Sequence, residues 1–202
     1  IRYNYWHDIG NRHGLGQAGI RLDDAICGVL IYGNVFYRCS NGLFGGVQIH
    51  GGKDNWVDNN LFAECRYGIS FSPWGRERWL NFLSSDSTSA LLTQQVDIHQ
   101  PPYSTRYPGL ARLEEGNDIN WIWRNVVYRC GGFLTRDQGI QVLLGNWITR
   151  EDPGFAGAAD QKFALRDDAP VYSCLGFAPI PFEEIGLYED GWRTALNDKD
   201  KP

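Results

Sequence analysis

The sequence has no methionine, no excess of positive charge, and no apolar run approaching the ~18 residues that a membrane-spanning helix needs. The short apolar runs exclude membrane insertion by a helix. A formal net charge of −5, from 19 Lys and Arg against 24 Asp and Glu, argues against a nucleic-acid surface, which requires clustered cations to neutralise phosphate. Disorder is disfavoured as well, because 43% hydrophobic and 21% charged residues is ordinary globular usage. Five cysteines leave at least one thiol without an intramolecular disulfide partner, and no Cys-x-x-Cys pair or His/Cys spacing offers a zinc site. The chain opens at Ile1 in what reads as the middle of a repeat. Together with the missing methionine, this start leads us to expect the C-terminal part of a longer protein, whose N-terminal region would carry any signal peptide.

What the chain does have is aromatic residues and an internal repeat. Eight Trp and ten Tyr supply flat rings that suit the apolar faces of sugars, although packing is the plainer use of any one of them. The segments Gly33–Cys39, Asn59–Cys65 and Arg124–Cys130 share an Asn, an apolar residue two places later in the strand that follows, and a Cys five places after the Asn. Tyr3–Trp6 and Gly145–Ile148 repeat the first half. A second unit, a Gly followed by alternating apolar and polar residues, recurs at Gly19–Asp23, Gly46–His50, Gly68–Ser72 and Gly139–Leu143. Each unit reads as a short strand bounded by turn residues. Strands that recur once per repeat with no helix between them predict a coil whose rungs pair in parallel about 4.8 Å apart. The repeated Asn would sit at a bend, where its amide can bond the next rung and left-handed backbone angles are tolerated. Cys39, Cys65 and Cys130 would stack as small buried side chains.

On these residues the chain resembles the right-handed parallel β-helix superfamily, which includes pectate-lyase-like enzymes and several glycoside hydrolase families. The resemblance is carried by GIRLDDAICGVLIYGNVFYRC (19–39), HGGKDNWVDNNLFAEC (50–65) and LGFAPIPFEEIGLYEDGWR (175–193). It implies an all-β solenoid, an exported or cell-surface protein, and action on plant or algal cell-wall glycans. One domain is expected, with β-helix rungs over 1–75, an inserted, partly helical segment over 76–118, further rungs over 119–150, and a C-terminal cap and tail over 151–202. A solenoid that exposes a terminal rung presents unpaired strand edges, so edge-to-edge association with another copy is also expected.

Aligning the four Gly-led strands puts Ile20, Leu22, Val47, Ile49, Ile69, Phe71, Ile140 and Val142 inside. Arg21, Gln48, Ser70 and Gln141 then form an outward column, with Asp23, His50, Ser72 and Leu143 beside it. This strip, with Asp24, is the expected site: Asp23, Asp24 and His50 as catalytic groups, and Arg21, Gln48, Ser72, Trp74 and Glu77 as substrate-binding groups. A glycoside hydrolase would need two carboxylates, ~6.5–9.5 Å apart in an inverting enzyme. Relatives often carry an acidic residue where Ser72 stands, so Glu77, Asp54 or a residue from the expected N-terminal rungs would have to substitute. A uronate lyase would use His50 as base and Arg21 as the neutralising cation. A solenoid that binds glycan without cleaving it is the remaining alternative. No cofactor is expected; Asp23, Asp24 and Asp54 make only a thin calcium cluster. The order Asp23, His50, Ser72 imitates a serine-esterase triad, but no Gly-x-Ser-x-Gly turn surrounds Ser72. His7, His13 and His99 stand alone and read as turn or surface residues.

Overall fold

A computed structural model describes residues 1–10, 16–115, 119–138, 141–157, 162–186 and 192. Strand β1 (Tyr5–His7) is followed by four turns of three short strands each. The first turn is β2 (Ile20–Leu22), β3 (Leu30–Tyr32) and β4 (Val35–Tyr37); the second is β5 (Val47–His50), β6 (Trp56–Asp58) and β7 (Leu61–Ala63). The third is β8 (Tyr67–Ser72), β9 (Trp121–Trp123) and β10 (Val126–Tyr128), and the fourth is β11 (Gly132–Thr135), β12 (Val142–Leu144) and β13 (Trp147–Thr149). Every third strand pairs in parallel. The result is three stacked sheets: β1-β4-β7-β10-β13, β2-β5-β8-β11 and β3-β6-β9-β12. The chain is therefore mostly β, with parallel sheets arranged as in a β-solenoid.

Alternation along each strand sends one side chain in and the next out. Phe36, Phe62 and Val127 lie in register on the first sheet and point inward, as do Ile31, Val57 and Ile122 on the third. The stacked rings of Phe36 and Phe62 have centroids 4.8 Å apart and planes 9° from parallel, which is the rung spacing expressed in side chains. Cys39 and Cys65 are buried in this core, and all five cysteines are free thiols.

The repeated Asn forms a continuous ladder. Asn4, Asn34, Asn60 and Asn125 each donate both the backbone N–H and the side-chain Nδ2 to the Oδ1 of the next Asn in the stack, ending at Asn146, over distances of 2.9–3.1 Å. The left-handed backbone angle falls on the residue before each of them: Tyr3, Gly33, Asn59, Arg124 and Gly145. The expectation that the ladder Asn itself takes that conformation is corrected, because the bend must precede the amide for it to face along the stack. A second ladder, absent from the sequence reading, links Val29, Asn55 and Asn120: Val29 N–H donates to Asn55 Oδ1 and Asn55 N–H to Asn120 Oδ1.

The inserted segment contains helix α1 (Gly75–Ser84), α2 (Asp86–Ala90) and α3 (Tyr103–Arg106). It is held to the coil by the buried Lys53, whose ammonium donates to the carbonyls of Arg112 and Glu115, and is tied together internally by Trp79 Nε1 donating to Leu113 O. After β13 the antiparallel pair β14 (Phe155–Gly157) and β15 (Lys162–Leu165) and helix α4 (Pro170–Leu175) lie along the outer face of the first sheet. Phe155, Phe163, Val171, Phe177 and Ile180 pack there on Val35, Tyr37, Leu61, Val126 and Tyr128. Asn59 fastens this strap by exchanging hydrogen bonds with Ala178.

Two predictions follow from the core. Asn60 accepts two hydrogen bonds on Oδ1 and donates through Nδ2 to Ile31 O, Asp58 O and Asn125 Oδ1. Leaving such buried groups unpaired costs about 1–3 kcal/mol each, so Asn60→Ala is expected to lower unfolding free energy in urea by about 3 kcal/mol or more. Asn4→Ala at the end of the ladder should cost well under half of that. Burial pushes the Cys39 thiol up to about 12, and the hydrogen bond with Cys130, with burial second, raises the Cys65 thiol, whereas Cys174 is exposed. In the folded protein a thiol reagent should label Cys174 first, and Cys39 and Cys65 only on unfolding.

Candidate functional site

Strands β2 and β5 are neighbours with Arg21 opposite Gln48 and Leu22 opposite Ile49, so Asp23, one residue past β2, falls beside His50 at the end of β5. Asp24 and Ala25 both take left-handed backbone angles, and Ala25 N–H donates to His50 O, which turns the chain and holds Asp24 against the same side chain. His50 Nδ1 lies 2.8 Å from Asp23 Oδ1 and 3.3 Å from Asp24 Oδ1. Arg21 Nη2 donates to the same Asp23 oxygen at 2.8 Å, and Asp24 N–H adds a third bond at 3.2 Å. The hydrogen bond with His50, aided by Arg21, holds the Asp23 carboxyl below the usual carboxylate range against the opposing effect of desolvation.

A nitrogen that faces two carboxylate oxygens carries a proton, since a bare lone pair there would meet only negative charge. Nδ1 is therefore the protonated nitrogen of the ring. His50 Nε2 has no hydrogen-bond partner among the described residues. The side chain is 23% exposed, enough for Nε2 to meet a ligand. The arrangement is a base whose orientation and tautomer are fixed from behind.

Of the expected site, Asp23, Asp24, His50 and Arg21 come together. Gln48 does not face solvent: it is 1% exposed, donates from Nε2 to Ser72 Oγ at 3.0 Å, and accepts on Oε1 from Arg136 Nη2 and in a short bond from Ser70 Oγ. The exposed outward column is corrected here, because Ser70 is buried as well and Arg136 reaches back over them. Ser72 is half-buried and bonded to Gln48. Trp74 meets His50 edge-on at 5.9 Å, and the guanidinium of Arg78 lies 3.9 Å from its ring centre. Phe82 packs against Trp74 as well, so the indole joins the insertion to the site. A Cβ on Gly51 would come within 2.8 Å of the indole, and the φ of +67° at Gly51 also favours glycine. Glu77 is exposed in the first turn of α1 and takes part in none of these bonds.

Arg136 escaped the sequence reading because the fourth strand of this sheet was assigned to Gly139–Leu143. The sheet is completed by β11, with Thr135 opposite Ser70, while Val142 and Leu143 belong to the third sheet. Gly139, Ile140 and His13 lie outside the described residues. The signal was the constant spacing after the repeated Cys: Tyr67 follows Cys65 by two residues, and Gly132, which pairs with it, follows Cys130 by two.

Asp23, Asp24 and His50 each offer one ligand atom, all within 4.8 Å of one another. Two carboxylates fall short of the six to eight oxygens that calcium takes. Asp54, the third member of the calcium reading, is paired with Lys53 at 3.7 Å. A separate cavity of about 610 Å³ lies within the insertion, between Leu80, Leu92, Ile98, His99 and Leu113. Among the described residues no helix is long and apolar enough to cross a membrane. Comparison with known proteins finds no matching family profile, curated protein or solved structure.

The lowered pKa of Asp23 has a definite sign. Its contribution to stability is fully present above the usual carboxylate range and is lost as pH falls through the lowered value. The difference in unfolding free energy between the native chain and Asp23→Asn should therefore stay level through neutral and mildly acidic pH and shrink only at strongly acidic pH. A difference that grows toward acid would contradict this assignment.

Proposed function

We propose that this chain is a carbohydrate-active enzyme of the right-handed parallel β-helix, pectate-lyase-like kind, acting on a plant or algal polysaccharide outside the cell. The observation that carries the proposal is the His50 ring, fixed through Nδ1 by Asp23 and Asp24 with Nε2 left open. The first reaction assigned is glycoside hydrolysis. Asp23 and Asp24 present oxygens within 4.8 Å of each other, too close for the ~6.5–9.5 Å at which an inverting pair admits water between its carboxylates. The base role therefore passes to His50: Nε2 takes a proton from water, and the ionised Asp23 stabilises the imidazolium that forms. Asp24, ionised beside the same ring nitrogen, supports that imidazolium, and the leaving oxygen takes its proton from solvent as the water oxygen bonds to the anomeric carbon.

A second reading, glycan binding without cleavage, is favoured by Ser72. Its hydroxyl is bonded to Gln48 at the strand end where the resemblance leads one to expect an acidic residue.

The test is a screen of the chain and its Asp23→Asn and His50→Gln forms against plant and algal polysaccharides, following reducing ends and the absorbance of unsaturated products together. Hydrolysis predicts reducing ends without unsaturation, reduced by about 10²–10⁴ in His50→Gln, the usual span of general acid–base catalysis. Unsaturated products would replace hydrolase by uronate lyase. Binding with no product on any glycan would establish the second reading.

A further inference from the structure

The insertion between β8 and β9 forms a cavity of about 610 Å³, within the ~300–1,000 Å³ of ordinary ligand pockets. Helix α1 puts Leu80, Leu83 and Ser84 on one face, since residues three and four apart lie over one another. Leu92, Ile98, Leu110 and Leu113 line the other sides, so the floor is aliphatic. The wall at 113–115 is fixed from behind. Trp79 Nε1 donates to Leu113 O at 2.7 Å, and the buried Lys53 of the coil holds the carbonyls of Arg112 and Glu115 at 2.9 and 2.6 Å. A cavity held in this way is shaped before any ligand arrives, which lowers the cost of binding.

The polar groups of the lining are nearly all acceptors. Asn81, Ser84, Ser89 and Thr93 each carry an oxygen that accepts a hydrogen bond. The hydroxyls of Ser84 and Thr93 already donate their protons, to Asn81 O and Ser89 O, which leaves their oxygens free to accept. Glu114 and Glu115 are exposed and stand at the mouth, and neither carboxylate is ion-paired among the described residues. Among those residues no Lys or Arg lines the cavity, and His99 is the one side chain there that can take positive charge. A carboxylate or phosphate would meet two carboxylates of like charge, whereas an ammonium meets opposite charge and a set of acceptors. No aromatic ring among the described residues lines the cavity, so a quaternary ammonium, which binds through ring faces, finds no partner. The lining fits a cation that has N–H donors and an apolar body.

We propose that the cavity of the insertion binds a small primary amine with an aliphatic body, its protonated nitrogen at Glu114 and Glu115 and its chain on the leucines beneath. None of the lining residues takes part in the His50 site, so amine binding does not depend on the carbohydrate reading.

The test is isothermal titration calorimetry of the 202-residue chain with decylammonium, hexylammonium and decanoate. Decylammonium should bind as one molecule per chain. Hexylammonium should bind more weakly by about fourfold for each methylene lost, and decanoate should bind about tenfold or more below decylammonium. Leu92→Trp, which fills the cavity, should abolish binding. Glu114→Gln together with Glu115→Gln leaves the floor intact and should lower decylammonium affinity about three- to tenfold without changing that of decanoate in the same direction. Circular dichroism confirms that the variants fold, and the Gln pair keeps the test in force if the Trp variant does not. No binding of decylammonium, equal affinity for decylammonium and decanoate, or binding unchanged in a folded Leu92→Trp chain would each overturn the proposal. Uptake of ammonium with no dependence on chain length would be adsorption on the acidic surface and would overturn it as well.

Discussion

The side-chain hydrogen bond from one Asn to the next is the constraint on which the structure depends. Parallel strands of three to six residues pair weakly by themselves, and each turn here contributes only three strands. The ladder through Asn4, Asn34, Asn60, Asn125 and Asn146 adds two side-chain-accepted bonds per step and fixes where each turn sits on the last. Because alternation has a period of two, a slip of one residue would turn Phe36, Phe62 and Val127 out and Val35, Leu61 and Val126 in. The buried amides make that slip costly. Core packing and register are thus set by the same few residues.

The site is a by-product of that register. Asp23 and His50 are 27 residues apart in sequence and share a hydrogen bond because β2 and β5 are consecutive rungs. Rung spacing delivers the two groups to contact distance, and the left-handed Asp24–Ala25 turn brings a second carboxylate to the same ring nitrogen. Arg21 completes the charge balance on Asp23. The indole of Trp74, lodged against Gly51, joins this end of the sheet to the helical insertion. The His50 ring is therefore coupled to packing on both sides: the coil behind Asp23 and the insertion beyond Trp74.

Much of this was legible in the sequence. The Asn and Cys repeats gave the coil, the alternation in Ile20–Leu22, Val47–Ile49 and Ile69–Phe71 gave the inward faces, and the strand-end position gave Asp23 beside His50. What was hidden depended on where a glycine falls. The turns after Cys65 and Cys130 are equal in length, but the later strand carries no glycine at the place of Gly68, so the fourth rung was placed on Gly139–Leu143 when it falls on Gly132–Thr135. That error concealed Arg136, and with it the cover that buries Gln48 and Ser70. An outward position is polar whether it meets solvent or another polar side chain, so alternation alone could not separate the two. The strap over the first sheet was hidden for a related reason, since Val35, Leu61 and Val126 are apolar on both faces of their strands and read simply as strand.

The measurement that tests the central claim most directly is the nitrogen-15 NMR spectrum of His50, with the neutral ring's tautomer read from its two nitrogen shifts. If the rungs set Asp23 and Asp24 against Nδ1, that nitrogen carries the proton, its resonance is protected from exchange, and Nε2 shows the shift of a bare nitrogen. A ring protonated on Nε2, or one unchanged by Asp23→Asn, would contradict the register, the site and the mechanism together.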